Sequence, residues 1–91
     1  MVDNNSAVDP VAEAAKKLSN AILEGDTDAA RENAMVLKQL GVAPLDVVNM
    51  AIKPAMDEMG KRYDRLEAFL PELVLAGDAA QDALNVLLTK E

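Results

Sequence analysis

The sequence predicts an all-α fold, a four-helix bundle with a kinked third helix. Three observations carry this. Apolar residues recur at three- and four-residue spacing along four segments, glycine and proline punctuate the ends of those segments, and no segment alternates with the period of a strand. The 91 residues suffice for a single core. Apolar residues make up 51% of the chain and aromatics only 2%, so that core must be built from Ala, Leu, Val, Ile and Met. Such a mixture suits closely packed helices.

Taken in order, residues 1–9 are polar, without apolar periodicity, and read as a flexible N-terminal tail ahead of a helical domain over 10–91. Asp9 before Pro10 is a helix-start signal, because the carboxylate accepts from free backbone N–H groups and proline fits the first helical position. The first helix is predicted over about 10–24, with Val11, Ala14, Ala15, Leu18, Ala21 and Ile22 on its apolar side. Gly25 and Asp26 form a stop followed at once by a cap, which predicts an antiparallel hairpin into a second helix over about 27–39. That helix is expected to bury Ala30, Ala34, Leu37 and Leu40 before Gly41 ends it.

Pro44 opens the third helix, predicted over about 44–62, with Asp46 near the positive end of the helix dipole. Leu45, Val48, Ile52, Ala55 and Met59 form one apolar stripe, widened by Val47, Met50, Ala51 and Met56, so this helix is expected to be central. Pro54 lies inside the pattern, where it removes a backbone hydrogen bond and crowds the Met50 carbonyl, so a kink is expected there. The charged run Lys61 to Glu67 reads as the longest connector. The fourth helix is predicted over about 69–88.

Composition excludes several functions. The chain has no cysteine and no histidine, which removes thiolate and imidazole ligands, a thiol nucleophile and the side chain most used for proton transfer near neutral pH. Catalysis by this chain alone is therefore not expected, and no residue is assigned as catalytic or metal-binding. A net charge of −7, with 16 acidic against 9 basic residues, leaves no surface for phosphate neutralisation, so a nucleic-acid partner is not expected. No apolar stretch is long enough to span a membrane, and a cytoplasmic location is expected. An acyl or peptidyl carrier, also small and acidic, needs an exposed serine in an Asp-Ser-Leu start of a helix. The serines Ser6 and Ser19 do not sit in that motif. Asp57, Glu58, Asp64 and Glu72 read as a solvated face.

The motif with most information is Met59-Gly60-Lys61-Arg62-Tyr63 followed by Glu67-Ala68-Phe69-Leu70-Pro71-Glu72-Leu73. A glycine, an aromatic three residues later and Phe-Leu-Pro six residues after that resemble the N-terminal helical cap domain of cobalamin (corrinoid)-binding methyltransferase proteins. Methylamine and methanol corrinoid proteins and the methionine synthase cap are examples. The resemblance extends upstream through Ala21 to Asp26, Gly41 to Leu45 and Ile52 to Met56, and so covers nearly all of 10–88.

The resemblance implies a non-catalytic cap module that shields the upper face of methylcobalamin during methyl transfer. It implies cobalamin (corrinoid) as the cofactor of the complete protein, with little or none bound by this chain alone. Tyr63, Leu70 and Leu73 take the ring-facing positions, with Phe69 and Gly77 beside them as cofactor-binding residues. On sequence pattern alone, Tyr63, Leu70 and Leu73 also read as ordinary core residues. The small residues Ala76, Gly77, Ala79, Ala80 and Ala83 make the last helix smooth, which suits a flat macrocycle or a packed helix, and helix packing is the expectation. Lys61, Arg62 and Arg65 are expected to complement the macrodipole of the third helix.

Two departures from the family pattern stand out. A glycine is common in the turn before Phe-Leu-Pro, where this chain has Leu66, so positive φ there would strain it. The family's cap is followed by an α/β domain carrying Asp-x-His-x-x-Gly, and this chain has no histidine and no strand–glycine-loop–helix unit. The implied partners are thus a corrinoid-binding α/β domain absent from this chain, and methyltransferases. The alternative is an autonomous helical interaction or dimerisation module without cofactor, and self-association through the exposed apolar cap face is expected.

Overall fold

The computed structural model describes residues 9–89, and among these it forms four helices and no strand. Helix α1 spans Pro10–Glu24 and α2 spans Thr27–Gln39. Helix α3 runs on without a break through Pro44–Val47, Val48–Ile52 and Lys53–Asp64, and α4 spans Leu70–Leu88. The tail expected at the N-terminus falls, but for Asp9, outside the described residues.

Local chemistry sets the helix starts. Asp9 accepts from the Val11 N–H and Asp26 from the Ala29 N–H, each at 3.0 Å, which satisfies an amide that the first turn leaves without an intrahelical partner. Phe69 offers no such acceptor ahead of α4. There Glu72 Oε1 reaches back to the Phe69 N–H at 2.7 Å, with Pro71 fixing the first turn.

Three of the helices end in one and the same motif, in which two successive amides fold back on the last turn. Gly25 and Asp26 donate to Ile22 and Ala21, Gly41 and Val42 to Lys38 and Leu37, and Leu66 and Glu67 to Tyr63 and Arg62. The motif requires positive φ, and the values are +68° at Gly25, +84° at Gly41 and +62° at Leu66. Leucine thus occupies a backbone conformation that two glycines serve elsewhere in the chain. The turn before Phe-Leu-Pro has positive φ with leucine in it, a strained placement.

The core is made of alanines around seven larger side chains, of which Leu18, Ile22, Leu37 and Val47 are fully buried and Ile52, Met59 and Leu87 nearly so. From α4 only Ala76, Ala79, Ala80, Ala83 and Leu87 are buried. Small contact residues let helix axes approach closely, and the molecule is a slab of 42 × 36 × 20 Å, about two helix diameters thick. Helices α2 and α4 lie side by side and point the same way. Arg31 pairs with Asp82 at 3.0 Å, and Lys38 further along donates to the Val86 carbonyl at 3.1 Å and to that of Thr89.

The irregularity expected at Pro54 takes the form of a π turn just upstream. The Lys53 N–H bonds to the Val48 carbonyl, five residues back, and Pro54 follows as the second residue of the resumed α-helix. Such a turn admits one extra residue and is a recognised cause of helix bends. The Ser19 hydroxyl of α1 donates to the Ala51 carbonyl within this turn at 2.8 Å, tying α1 to it.

That extra residue corrects the predicted stripe. Downstream, Ile52, Ala55 and Met59 are buried as expected, but upstream the phase moves by one residue, about 100° of rotation. Val47 is then fully buried and Val48 only partly, while Leu45 and Met50, expected inside, are exposed. Leu40 is also exposed rather than buried, because it follows the last turn of α2 and no longer follows its stripe. Helix α3 extends two residues beyond the predicted end. Lys61 to Asp64 are therefore helical, and the connector shrinks to 65–69.

Candidate functional site

The residues singled out from the motif lie on the last turn of α3, the connector and the first turns of α4. Tyr63 lies in the last turn of α3, Leu66 and Phe69 stand in the connector two residues before and one after Ala68, and Leu70, Leu73 and Gly77 succeed one another at three- and four-residue steps on α4. That spacing keeps Leu70, Leu73, Val74 and Gly77 along one flank of the helix. The connector is anchored by Ala68, which is buried, so that the side chains on either side of it are thrown outward.

Exposure separates these residues from the core. Tyr63 is 39% exposed, Leu70 57%, Phe69 71% and Leu66 84%, and Val74 and Leu75 are also exposed. Of Tyr63, Leu70 and Leu73, which sequence pattern alone also reads as core residues, Tyr63 and Leu70 are therefore not core residues, whereas Leu73 packs against the core. Leu73 is half-buried against the core, and Gly77 is half-buried. A helix that is apolar all round is normally buried all round. Helix α4 buries its alanine face and leaves its leucine and valine flank in solvent, together with Phe69 and Tyr63.

Both arginines nearby are already engaged. Arg62 Nε donates to Glu58 Oε2 at 3.1 Å, and Arg65 pairs with Glu67 at 3.1 Å and Glu58 at 3.7 Å. These arginines serve local exposed pairs, each contributing at most about 1 kcal/mol. Glu72 is committed to capping α4. Among the described residues, no group of three or more His, Cys, Asp or Glu side chains gathers in one place.

The small residues of α4 divide in two. Ala76, Ala79, Ala80 and Ala83 are buried, so packing between helices accounts for them. Gly77 is different: a Cβ built there meets no atom within 4 Å. Helix packing inside this chain, the sequence expectation for the whole group, does not explain it.

One concave region away from this face carries no signal in the sequence. A cleft of about 690 Å³ lies at the far ends of α2 and α4, lined by Met35, Lys38, Gln39, Val86 and Thr89. It shares no residue with the Tyr63 to Val74 face. Its one charged side chain, Lys38, is occupied in satisfying the last carbonyls of α4. Ser19, weighed as a carrier attachment point, has its hydroxyl turned inward to Ala51. No helix of the described residues is long and apolar enough to cross a membrane.

Comparison with known proteins agrees with the motif. A family model described as B12 binding domain matches residues 14–88. The chain is 30% identical over 71 residues to monomethylamine corrinoid protein 1 of Methanosarcina mazei, covering 78% of this chain and 33% of that protein. It is 30% identical over 71 residues to monomethylamine corrinoid protein 1 of Methanosarcina acetivorans, with the same 78% and 33% coverage. The trimethylamine corrinoid protein of Methanosarcina barkeri is 27% identical over 71 residues, again 78% of this chain and 33% of the relative. The chain thus spans about a third of the length of these relatives. No solved structure gives a significant match. With the four-helix architecture and the Gly60 to Leu73 motif in place, the chain belongs to the B12 binding domain family, in its helical cap form.

Proposed function

We propose that this chain is the cap module of a corrinoid protein and shields the upper face of methylcobalamin during methyl transfer, as a non-catalytic part of the carrier. One observation carries the reading: the flank that holds Tyr63, Phe69 and Leu70 stands open to solvent in a chain of the B12 binding domain family. An apolar surface left uncovered by its own fold marks a binding face.

The side chains present suit covering the cofactor and not ligating its metal. The chain has no histidine and no cysteine, so it has no imidazole or thiolate to offer cobalt. The bound corrinoid supplies a transferable methyl group on its metal. Tyr63, Leu70 and Leu73 would wall the upper axial position, with Phe69 at the rim, and keep water from it. The remaining contacts to the cofactor, including any side-chain ligand to its metal, would be supplied by a corrinoid-binding α/β domain. A docking methyltransferase would have to displace the apolar wall to reach the methyl group.

Titration of the isotope-labelled chain with methylcobalamin, followed by amide NMR, tests the reading. Because the chain lacks an axial ligand, the expected dissociation constant is weak, on the order of 1 mM. Amide shifts are expected along 60–77, and Tyr63→Ala and Leu70→Ala should each weaken binding severalfold. Shifts confined to the cleft around Met35 and Val86, or no saturable shifts, would overturn the proposal. In that event the open face is better read as a protein-docking or dimerisation surface.

A further inference from the structure

The four glycines of the chain fall into two pairs with different physical reasons. Gly25 and Gly41 hold φ of +68° and +84° in helix-ending turns, and a Cβ at Gly25 would come within 2.8 Å of the Leu75 Cβ. Backbone conformation or internal packing accounts for both. Gly60 and Gly77 sit inside α3 and α4, at neither of which is φ positive, and a Cβ at either meets nothing within 4 Å.

Glycine inside a helix is destabilising relative to alanine, because it loses more backbone freedom on folding. Alanine would fit at both positions, and α4 uses it repeatedly on its buried face. The fold therefore forgoes stability at two places where nothing among the described residues requires the absence of a methyl group. Both places border the open apolar face. Gly60 precedes Tyr63 by three residues on α3, and Gly77 follows Leu73 by four and Leu70 by seven on α4. Both are half-buried.

We propose that Gly60 and Gly77 are clearance positions, bare backbone against which the flat corrin macrocycle lies in van der Waals contact on the face carrying Tyr63, Leu70 and Leu73. The inference rests on the cap reading above; it adds Gly60 to that face and gives Gly60 and Gly77 a shared role in determining how closely the ring approaches. A planar ligand gains dispersion contact across its whole area only if no side chain holds one edge away. A single methyl group at either position would tilt or lift it.

The test sets stability against binding in Gly60→Ala, Gly77→Ala and the double variant of the full chain. Thermal unfolding by circular dichroism is expected to show a midpoint higher by several degrees for each single variant. Methylcobalamin titration under the same NMR conditions is expected to show binding at least about fivefold weaker for each, and further weakened in the double variant. A lower unfolding midpoint would mean that the glycines serve the fold, and would overturn the inference. Unchanged methylcobalamin affinity in both variants, with binding still weakened in Tyr63→Ala, would overturn it while leaving the cap reading intact. Absence of binding at this face in the parent chain would overturn the cap reading and the inference with it. Loss of self-association in the glycine variants with unchanged methylcobalamin affinity would assign the clearance to a second copy, and would also overturn it.

Discussion

Replacing Leu66 by glycine should make the protein more stable. Leu66 holds φ at +62° in the turn that ends α3, the conformation that glycine supplies at the ends of α1 and α2. For an L-residue with a Cβ this region costs roughly 1 to 2 kcal/mol. Glycine removes that cost but returns part of it, because it gives the unfolded chain more freedom, about 0.5 to 1 kcal/mol. The leucine is 84% exposed, so its removal forfeits almost no burial. The balance is a gain of about 0.5 to 1 kcal/mol, which in a domain of this size raises the unfolding midpoint by about 3 to 6 °C.

Thermal and urea unfolding followed by circular dichroism measure the gain directly. Leu66→Ala is the control, since it removes the same exposed side chain but keeps the Cβ in the left-handed region, and its midpoint should stay close to that of the parent. An unchanged or lowered midpoint for Leu66→Gly would refute the assignment of strain. Equal gains for glycine and alanine would refute it too, by tracing the effect to the exposed apolar side chain.

Gly25→Ala should destabilise the chain by about 2 to 4 kcal/mol, combining the left-handed conformation with a 2.8 Å clash against the Leu75 Cβ, as read from chemical unfolding. Leu18→Ala should cost about 3 to 5 kcal/mol, because Leu18 is fully buried and its removal leaves a cavity in the core. A domain this small has little stability in reserve, so the Leu18 variant is expected to be largely unfolded by circular dichroism at room temperature. Sedimentation equilibrium should show the chain self-associating as its concentration rises, with Leu70→Ala and Phe69→Ala weakening the association; a monomer throughout would count against an adhesive face.

The limits of sequence reading show in particular residues. Helix starts were legible because Asp9, Asp26 and the first-turn prolines act on amides two or three residues away, a chemistry that the rest of the fold does not alter. The apolar stripe of α3 was legible only below the π turn. Above and within it the extra residue turned Val47 inward and Leu45 and Met50 outward, and periodicity assumes an unbroken ladder. The motif around Phe-Leu-Pro marked the right stretch of chain. Apolar type alone did not distinguish a core leucine from one such as Leu70 that the fold leaves in solvent.

By itself the sequence determined the all-helical class, the four helices and the placement of the family motif, because each depends on spacing and on contacts within a few residues. It also determined the lack of imidazole and thiolate, since composition does not change on folding. The tertiary structure alone decided which apolar residues are spare. Burial is a property of how α4 sets its alanine face against α2 and α1, and the open flank from Tyr63 to Val74, like the empty space above Gly60 and Gly77, exists only once that packing is complete.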